Sequence, residues 1–411
     1  MAKNFLSEFP SRAELIEWYK THGTNVVHEV NSHFHTPFSF SAFQELRQVF
    51  EMATAENVDL LGINDFYTTA GYEEFHDLSL EYNKFPLFNI EFMGLLKEEQ
   101  KNDIRVNDPN NPGRTYFSGK GLDYPVSLDG ASLKKLETVV AESEKQTKEM
   151  FHLASEHLAS IDPVLELDYN TAIERYTRGM LRERHIAKII RDKIFENYDT
   201  GSKRKDILKK IYNGEETSVN IESPAALEGE IRSRLLKSGG VAYVKEDPRA
   251  FLEIDEVIKI ILDAGGIPTY PVLLDDKEGN YTDYERDFEK LHSELTSRNI
   301  YSLELIPGRN DLNRLEEFVH FFHDRGFVIS FGTEHNTPSL IPLKISSRGG
   351  KDLSDDMKRI NFEGGCLIAA HQYMRMKDEE GYLEKNGKPR LQYKEELIEL
   401  GNAIIEYYLQ N

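Results

Sequence analysis

An α/β fold is predicted, built on a parallel sheet that is either open or closed into a barrel. Two observations predict it. Short apolar runs alternate with segments of helical periodicity from Val26 to Phe331, the order that a parallel sheet with crossover helices requires. The chain has 411 residues but a single cysteine, Cys366. No disulfide framework or thiolate zinc cluster can therefore hold it, and its length suits a large core in one big domain or two smaller ones.

The elements follow in order. Val26–Asn31 reads as the first strand and Ala42–Glu56 as a helix, with Phe43, Leu46, Val49, Phe50 and Ala53 at helical spacing. Val58–Asn64 is nearly continuous in apolar residues, as expected of a strand buried on both faces. Gly71–Tyr82 is helical and Phe85–Phe92 returns as a strand. Lys97–Asp129, rich in Asn, Gly, Pro and Asp, reads as a long excursion, and loops of that length in compact domains are functional or disordered. Ser132–Glu196 is almost entirely helical, and Ser223–Leu236 adds another helix. Strands resume at Gly266–Leu274, Ile300–Ile306 and Phe327–Phe331, with helices Glu253–Asp263, Tyr284–Ser297 and Leu312–Arg325 before or between them. Asp352–Met376 and Tyr393–Leu409 end the chain as helices, separated by a polar turn around Asn386–Pro389.

The 50 basic and 71 acidic side chains leave a net charge of −21. That balance disfavours a nucleic-acid surface, which needs clustered Lys and Arg. A phosphorylated small molecule stays compatible, because a metal site creates local positive potential within an acidic protein. The segment Met1–Pro10 lacks an apolar stretch long enough for a signal peptide. No run approaches the roughly 18 apolar residues of a membrane span. A cytoplasmic protein is expected.

Metal-competent side chains fall at the ends of the expected strands. His33 and His35 follow the first, Asp65 the second, Glu91 the third, and the pair Glu334–His335 the last. Alternate residues of a strand point the same way, so His33 and His35 can converge on one ion. In a parallel α/β fold the carboxyl ends of the strands gather on one face, where sites are built. Imidazole and carboxylate without thiolate suit divalent metals that activate water.

The order of these motifs resembles the polymerase and histidinol phosphatase (PHP) superfamily: His33-Phe34-His35, Gly62-Ile63-Asn64-Asp65, Ile90-Glu91, and Arg182-Glu183-Arg184-His185-Ile186-Ala187 in mid-chain. The late Gly332-Thr333-Glu334-His335 is similar to the closing Asp-x-His of that superfamily. The resemblance covers residues 25 to 340. It implies a distorted seven-stranded (βα) barrel over residues 20–345, with a loop and helical insertion over 97–240 and a helical extension over 346–411. It also implies one to three zinc, manganese or iron ions and hydrolysis of phosphoesters by metal-activated water. His33, His35 and Glu91 would hold metal, His185 another ion of the cluster, and Asp65 would serve as ligand and in catalysis. Either Glu334 or His335 would close the site.

The chain departs from the family pattern at three places. Phe66 replaces the histidine of Asp-His, Tyr270 that of Ala-His-Pro, and Thr333 the aspartate of Asp-x-His. A reduced metal set follows, and Tyr270 becomes a candidate hydroxyl donor to a leaving oxygen, or an aromatic filling the barrel mouth. For phosphate, whose oxygens suit the planar fork of arginine, the candidates are Arg309 after a late strand, Arg184 beside His185, and Arg114 with Lys120 in the excursion, as a lid. A small phosphorylated substrate is expected. A non-phosphate hydrolase and a degenerate domain that binds without turnover are the alternatives.

Overall fold

The computed structural model describes residues 4–24, 26–276 and 278–411. Its centre is an eight-stranded sheet: β1 (Val30–Phe34), β2 (Leu60–Phe66), β3 (Phe85–Leu95), β4 (Arg114–Lys120), β5 (Leu252–Glu253), β6 (Ile267–Val272), β7 (Ser302–Leu305) and β8 (Val328–Phe331). The order is β1-β2-β3-β4-β6-β7-β8, with the short β5 beside β3. Neighbours run parallel except at β4, which is antiparallel to both β3 and β6.

The sheet curls until β8 and the turn after it meet β1. Ser32 Oγ donates to Phe331 O at 2.8 Å, Thr333 N to His33 O at 2.9 Å and His35 N to Glu334 O at 2.8 Å. Gly332 permits this seam, since a Cβ there would fall 2.3 Å from the Cβ of His33. The result is a nearly closed barrel of seven strands, with helices packed outside it against Phe50, Phe75, Phe318 and Phe322.

Three expectations are corrected. The first strand starts at Val30, four residues later than the apolar run, and Val26 and Val27 are exposed. The sheet is mixed, because the presumed excursion contains β4. That strand alternates Tyr116, Ser118 and Lys120 on one face with Thr115, Phe117 and Gly119 on the other. Its polar face looks into the barrel, so it lacks the apolar signature of a strand. The insertion into the barrel therefore starts after β4: helices Gly130–Ile161, Tyr169–Tyr176, Glu183–Asn197, Gly201–Ile211 and Pro224–Ile231 share a separate core around Phe151, Ile190 and Leu208.

The C-terminal helices Asp355–Met376 and Lys394–Gln410 seal the other end of the barrel. Their core includes Val30, Leu60, Phe85, Ile267 and Val328, which begin five of the strands. Asn361 donates to Val30 O at 3.0 Å and accepts from Phe331 N at 2.7 Å. Gln372 likewise accepts from Phe88 N at 2.8 Å and donates to Pro86 O at 3.1 Å. These amides bond backbone groups of β1, β3 and β8 and tie the helix to the barrel. Among the described residues no helix is long and apolar enough to cross a membrane.

Candidate metal centre

Four of the expected ligands converge. One donor atom each from His33, His35, Glu91 and Glu334 lies within 4.8 Å of the others. His33 and His35 come from β1 and the residue after it, Glu91 from β3, and Glu334 from the turn after β8. Glu334 and His335 both take positive φ, 72° and 50°, a conformation that costs energy in residues with a Cβ and gathers at functional sites.

Hydrogen bonds at Nδ1 orient both imidazoles with Nε2 toward the cluster. His33 Nδ1 lies 2.9 Å from the Glu304 carboxylate, which can only accept. Nδ1 therefore carries the proton, which makes Nε2 the nitrogen with a lone pair. His35 Nδ1 lies 3.2 Å from Ser39 Oγ, whose own proton goes to Asp65 Oδ1 at 2.5 Å. His35 is thus held in the same tautomer, and burial pushes its pKa down, so it is neutral. The two Nε2 atoms face each other at 3.3 Å with no proton to share. Glu91 Oε2 is 3.1 Å from His35 Nε2 yet is buried without a hydrogen bond. Two converging lone pairs and an orphaned buried carboxylate oxygen fit a cation.

The carboxylates are shifted in opposite directions. Burial raises Glu91 well above the usual carboxylate range. Burial acts in the same sense on Glu334, but facing positive charge, that of Arg309 above all, outweighs it and holds the group at about 2. Glu304 is also held low against burial, by His33 and Lys120.

The remaining candidates are engaged elsewhere. Asp65 accepts from Thr36 N at 2.8 Å and from Thr36 Oγ1 and Ser39 Oγ at 2.5 Å; it orients His35 through Ser39 and lies outside the four-residue group. His335 stacks on Phe43, with Nδ1 2.7 Å from Thr333 Oγ1 and Nε2 bonded to Ile341 O at 2.8 Å. His185 accepts from Arg182 N at 2.9 Å, capping its helix. Burial and then Arg182 depress it to about 3, so it is neutral with its proton on Nε2 and no lone pair to give. Tyr270 belongs to the apolar core and donates to Glu285 at 2.9 Å, away from the cluster. Phe66, where the family has a histidine, stacks on His35.

A cavity of about 210 Å³ opens on the cluster, lined by His33, Glu91 and Glu334 together with Tyr116, Arg184 and Arg309. Arg309 Nη2 is 3.3 Å from Glu334 Oε1. Arg184 is mostly buried, and burial followed by the charge of Arg232 lowers its pKa to about 10, so it stays cationic at neutral pH. Arg114, by contrast, pairs with Glu246 at 2.6 Å and lies over Phe251. Lys120 is no lid residue: it is fully buried within the barrel and ion-paired to Glu304.

Sequence reasoning missed Glu304, Asn64 and Tyr116. Glu304 had a signal, a lone charged residue in the run Ser302-Leu303-Glu304-Leu305, since a carboxylate in a fully buried strand must have partners. Asn64 stands immediately before Asp65, and its Nδ2 lies 3.1 Å from the His33 ring nitrogens.

No family model and no curated protein matches the chain. Among solved structures it is similar to a protein of Bifidobacterium adolescentis described provisionally as a metal-dependent phosphoesterase. That match has a TM-score of 0.50 and 18% identity, over 81% of this chain and 94% of the other. An amidohydrolase of Chromobacterium violaceum, with bound sulfate and no metal, aligns at a TM-score of 0.49 and 15% identity, over 80% of this chain and 92% of that one. The first of these likenesses establishes a shared fold.

Proposed function

We propose that this protein is a metal-dependent hydrolase of the PHP type that cleaves a phosphoester in a small metabolite. One observation carries the reading. The His33–His35–Glu91–Glu334 group opens into a cavity that Arg184 and Arg309 also line, and no hydrogen bond or ion pair engages the Arg184 guanidinium among the described residues. Carboxylate-imidazole donors suit zinc, manganese or iron, and a buried guanidinium that lies over the Phe40 ring suits an oxyanion.

His33, His35, Glu91 and Glu334 would hold a divalent cation, which when bound would supply Lewis acidity for the activation of water. The chain's own groups do the rest. Glu304 and Ser39 hold the imidazoles in the ligating tautomer. Arg184 grips and orients the phosphoryl group, and Arg309 steadies Glu334 while facing the same space. Pro271, Val272 and Leu273 form an apolar wall that limits water and narrows the choice of leaving group.

The test is hydrolysis of p-nitrophenyl phosphate and bis-p-nitrophenyl phosphate by metal-loaded protein, beside His33→Ala and Arg184→Met. Loss of turnover in His33→Ala is expected, with a KM raised about 10- to 100-fold in Arg184→Met, the worth of a charge-assisted hydrogen bond. Undiminished turnover in His33→Ala would overturn the mechanism. Metal binding without turnover of either ester would favour the non-phosphate or degenerate alternatives.

A further inference from the structure

Just inside the barrel from His33 lies a second cation position, and a side chain fills it. Lys120 is fully buried. Its ammonium contacts three oxygens: Glu304 Oε2 in an ion pair, Ser32 O at 3.1 Å and Asn64 Oδ1 at 3.2 Å. A carboxylate, a backbone carbonyl and an amide oxygen form the donor set that hard metal cations take. The ammonium uses its three protons on those three acceptors, so the shell is complete. The position adjoins the metal centre, because Glu304 Oε2 also accepts from His33 Nδ1 at 2.9 Å.

We propose that Lys120 is a built-in cation occupying a second cation site, so that the centre takes one divalent ion rather than two or three. This rests on the metal-dependent reading above.

Two further observations support it. The residues that would complete a larger cluster have no free lone pair or lie outside the group: His185 and His335 are bonded through their ring nitrogens, and Asp65 accepts three hydrogen bonds. Charge agrees as well. Lys120 already cancels Glu304, so that carboxylate brings no net negative charge to a further ion. The lysine also gives β4 its role at the site. An antiparallel strand places this side chain under the mouth, where a loop could not hold an unsolvated ammonium.

The experiment is metal analysis of full-length protein loaded with Mn²⁺ and freed of excess, read by elemental analysis and by electron paramagnetic resonance. About one equivalent per chain, with the six-line signal of an isolated ion, is the expected result. Two or more equivalents, or a spin-coupled signal, overturn the proposal while leaving a metal-dependent protein. Less than about half an equivalent overturns the metal-dependent reading itself. In Lys120→Ala the three oxygens lose their cation, so uptake rises to about two equivalents, whereas Lys120→Arg stays at one. A folded Lys120→Ala protein that still binds one ion removes the lysine from the argument. If that variant does not fold, the wild-type stoichiometry alone decides.

Discussion

The two ends of the barrel obey opposite rules. At the base, where the strands begin, Asn361 and Gln372 meet backbone groups one for one, and helix and strand approach so closely that only glycine fits at position 364. At the mouth, Glu91 Oε2 lacks a hydrogen bond, Glu334 and His335 adopt left-handed backbone, and Arg184 lines the cavity. The core amides Asn361 and Gln372 are paired at one end, whereas the other holds an unpaired carboxylate oxygen and left-handed backbone. The contrast separates residues kept for stability from residues kept for chemistry.

Substitutions at each end can break this contrast. The largest effect is expected at Gly364→Ala, whose Cβ would sit 1.9 Å from Ile329 O. Neither backbone can yield cheaply, so a loss of about 3 kcal/mol or more, or insoluble protein, is expected in urea denaturation. Asn361→Ala comes next: it strands a buried N–H and a buried carbonyl, for a loss of about 2 kcal/mol by the same measurement.

His28 gives a smaller effect that depends on pH. Burial pushes its pKa down, but hydrogen bonds to Asp59 and Glu406 outweigh this and raise it above 6.5. A raised histidine pKa contributes stability that is whole below the unfolded value and fades as pH rises through the folded one. The contribution of His28 to the melting temperature should therefore fade as pH rises above about 6.5, and His28→Gln should flatten that slope. Equal slopes in both proteins would remove His28 from the base's stabilising contacts.

The smallest change in stability belongs to the mouth. Glu91→Gln should leave the metal-free protein within about 0.5 kcal/mol of wild type, or more stable, while abolishing tight metal binding. A loss as large as that of Asn361→Ala would erase the distinction between the two ends.

Much of this was legible in the residues, and the reasons for the gaps are physical. Strands β2 and β3 stand out because both of their faces are largely apolar. Strand β1 does not: Val30-Asn31-Ser32-His33-Phe34 lines a polar barrel interior, so the exposed Val26–Val27 pair looked more like a strand than the strand itself. β4 was hidden for the same reason, between Pro112-Gly113 and Gly121. The places of His33, His35, Glu91 and Glu334 at strand ends made their convergence on one cluster readable. What spacing could not convey was which neighbours had taken the lone pairs of His185 and His335, or that Glu304 and Lys120 would meet across the barrel. Those facts depend on contacts between residues far apart in sequence.

The seam between β1 and the turn after β8 has one further consequence. His33 and His35 stand on one side of it and Glu334 on the other, joined by backbone bonds between residues some 300 positions apart. An ion gripped by all three would act as a clasp across the line where the barrel opens. Whatever binds the closed ring and not the open one stabilises the ring by mass action. Metal supply would then govern how long the molecule survives as well as whether it works, and a chelator should hasten its proteolysis as well as silence it.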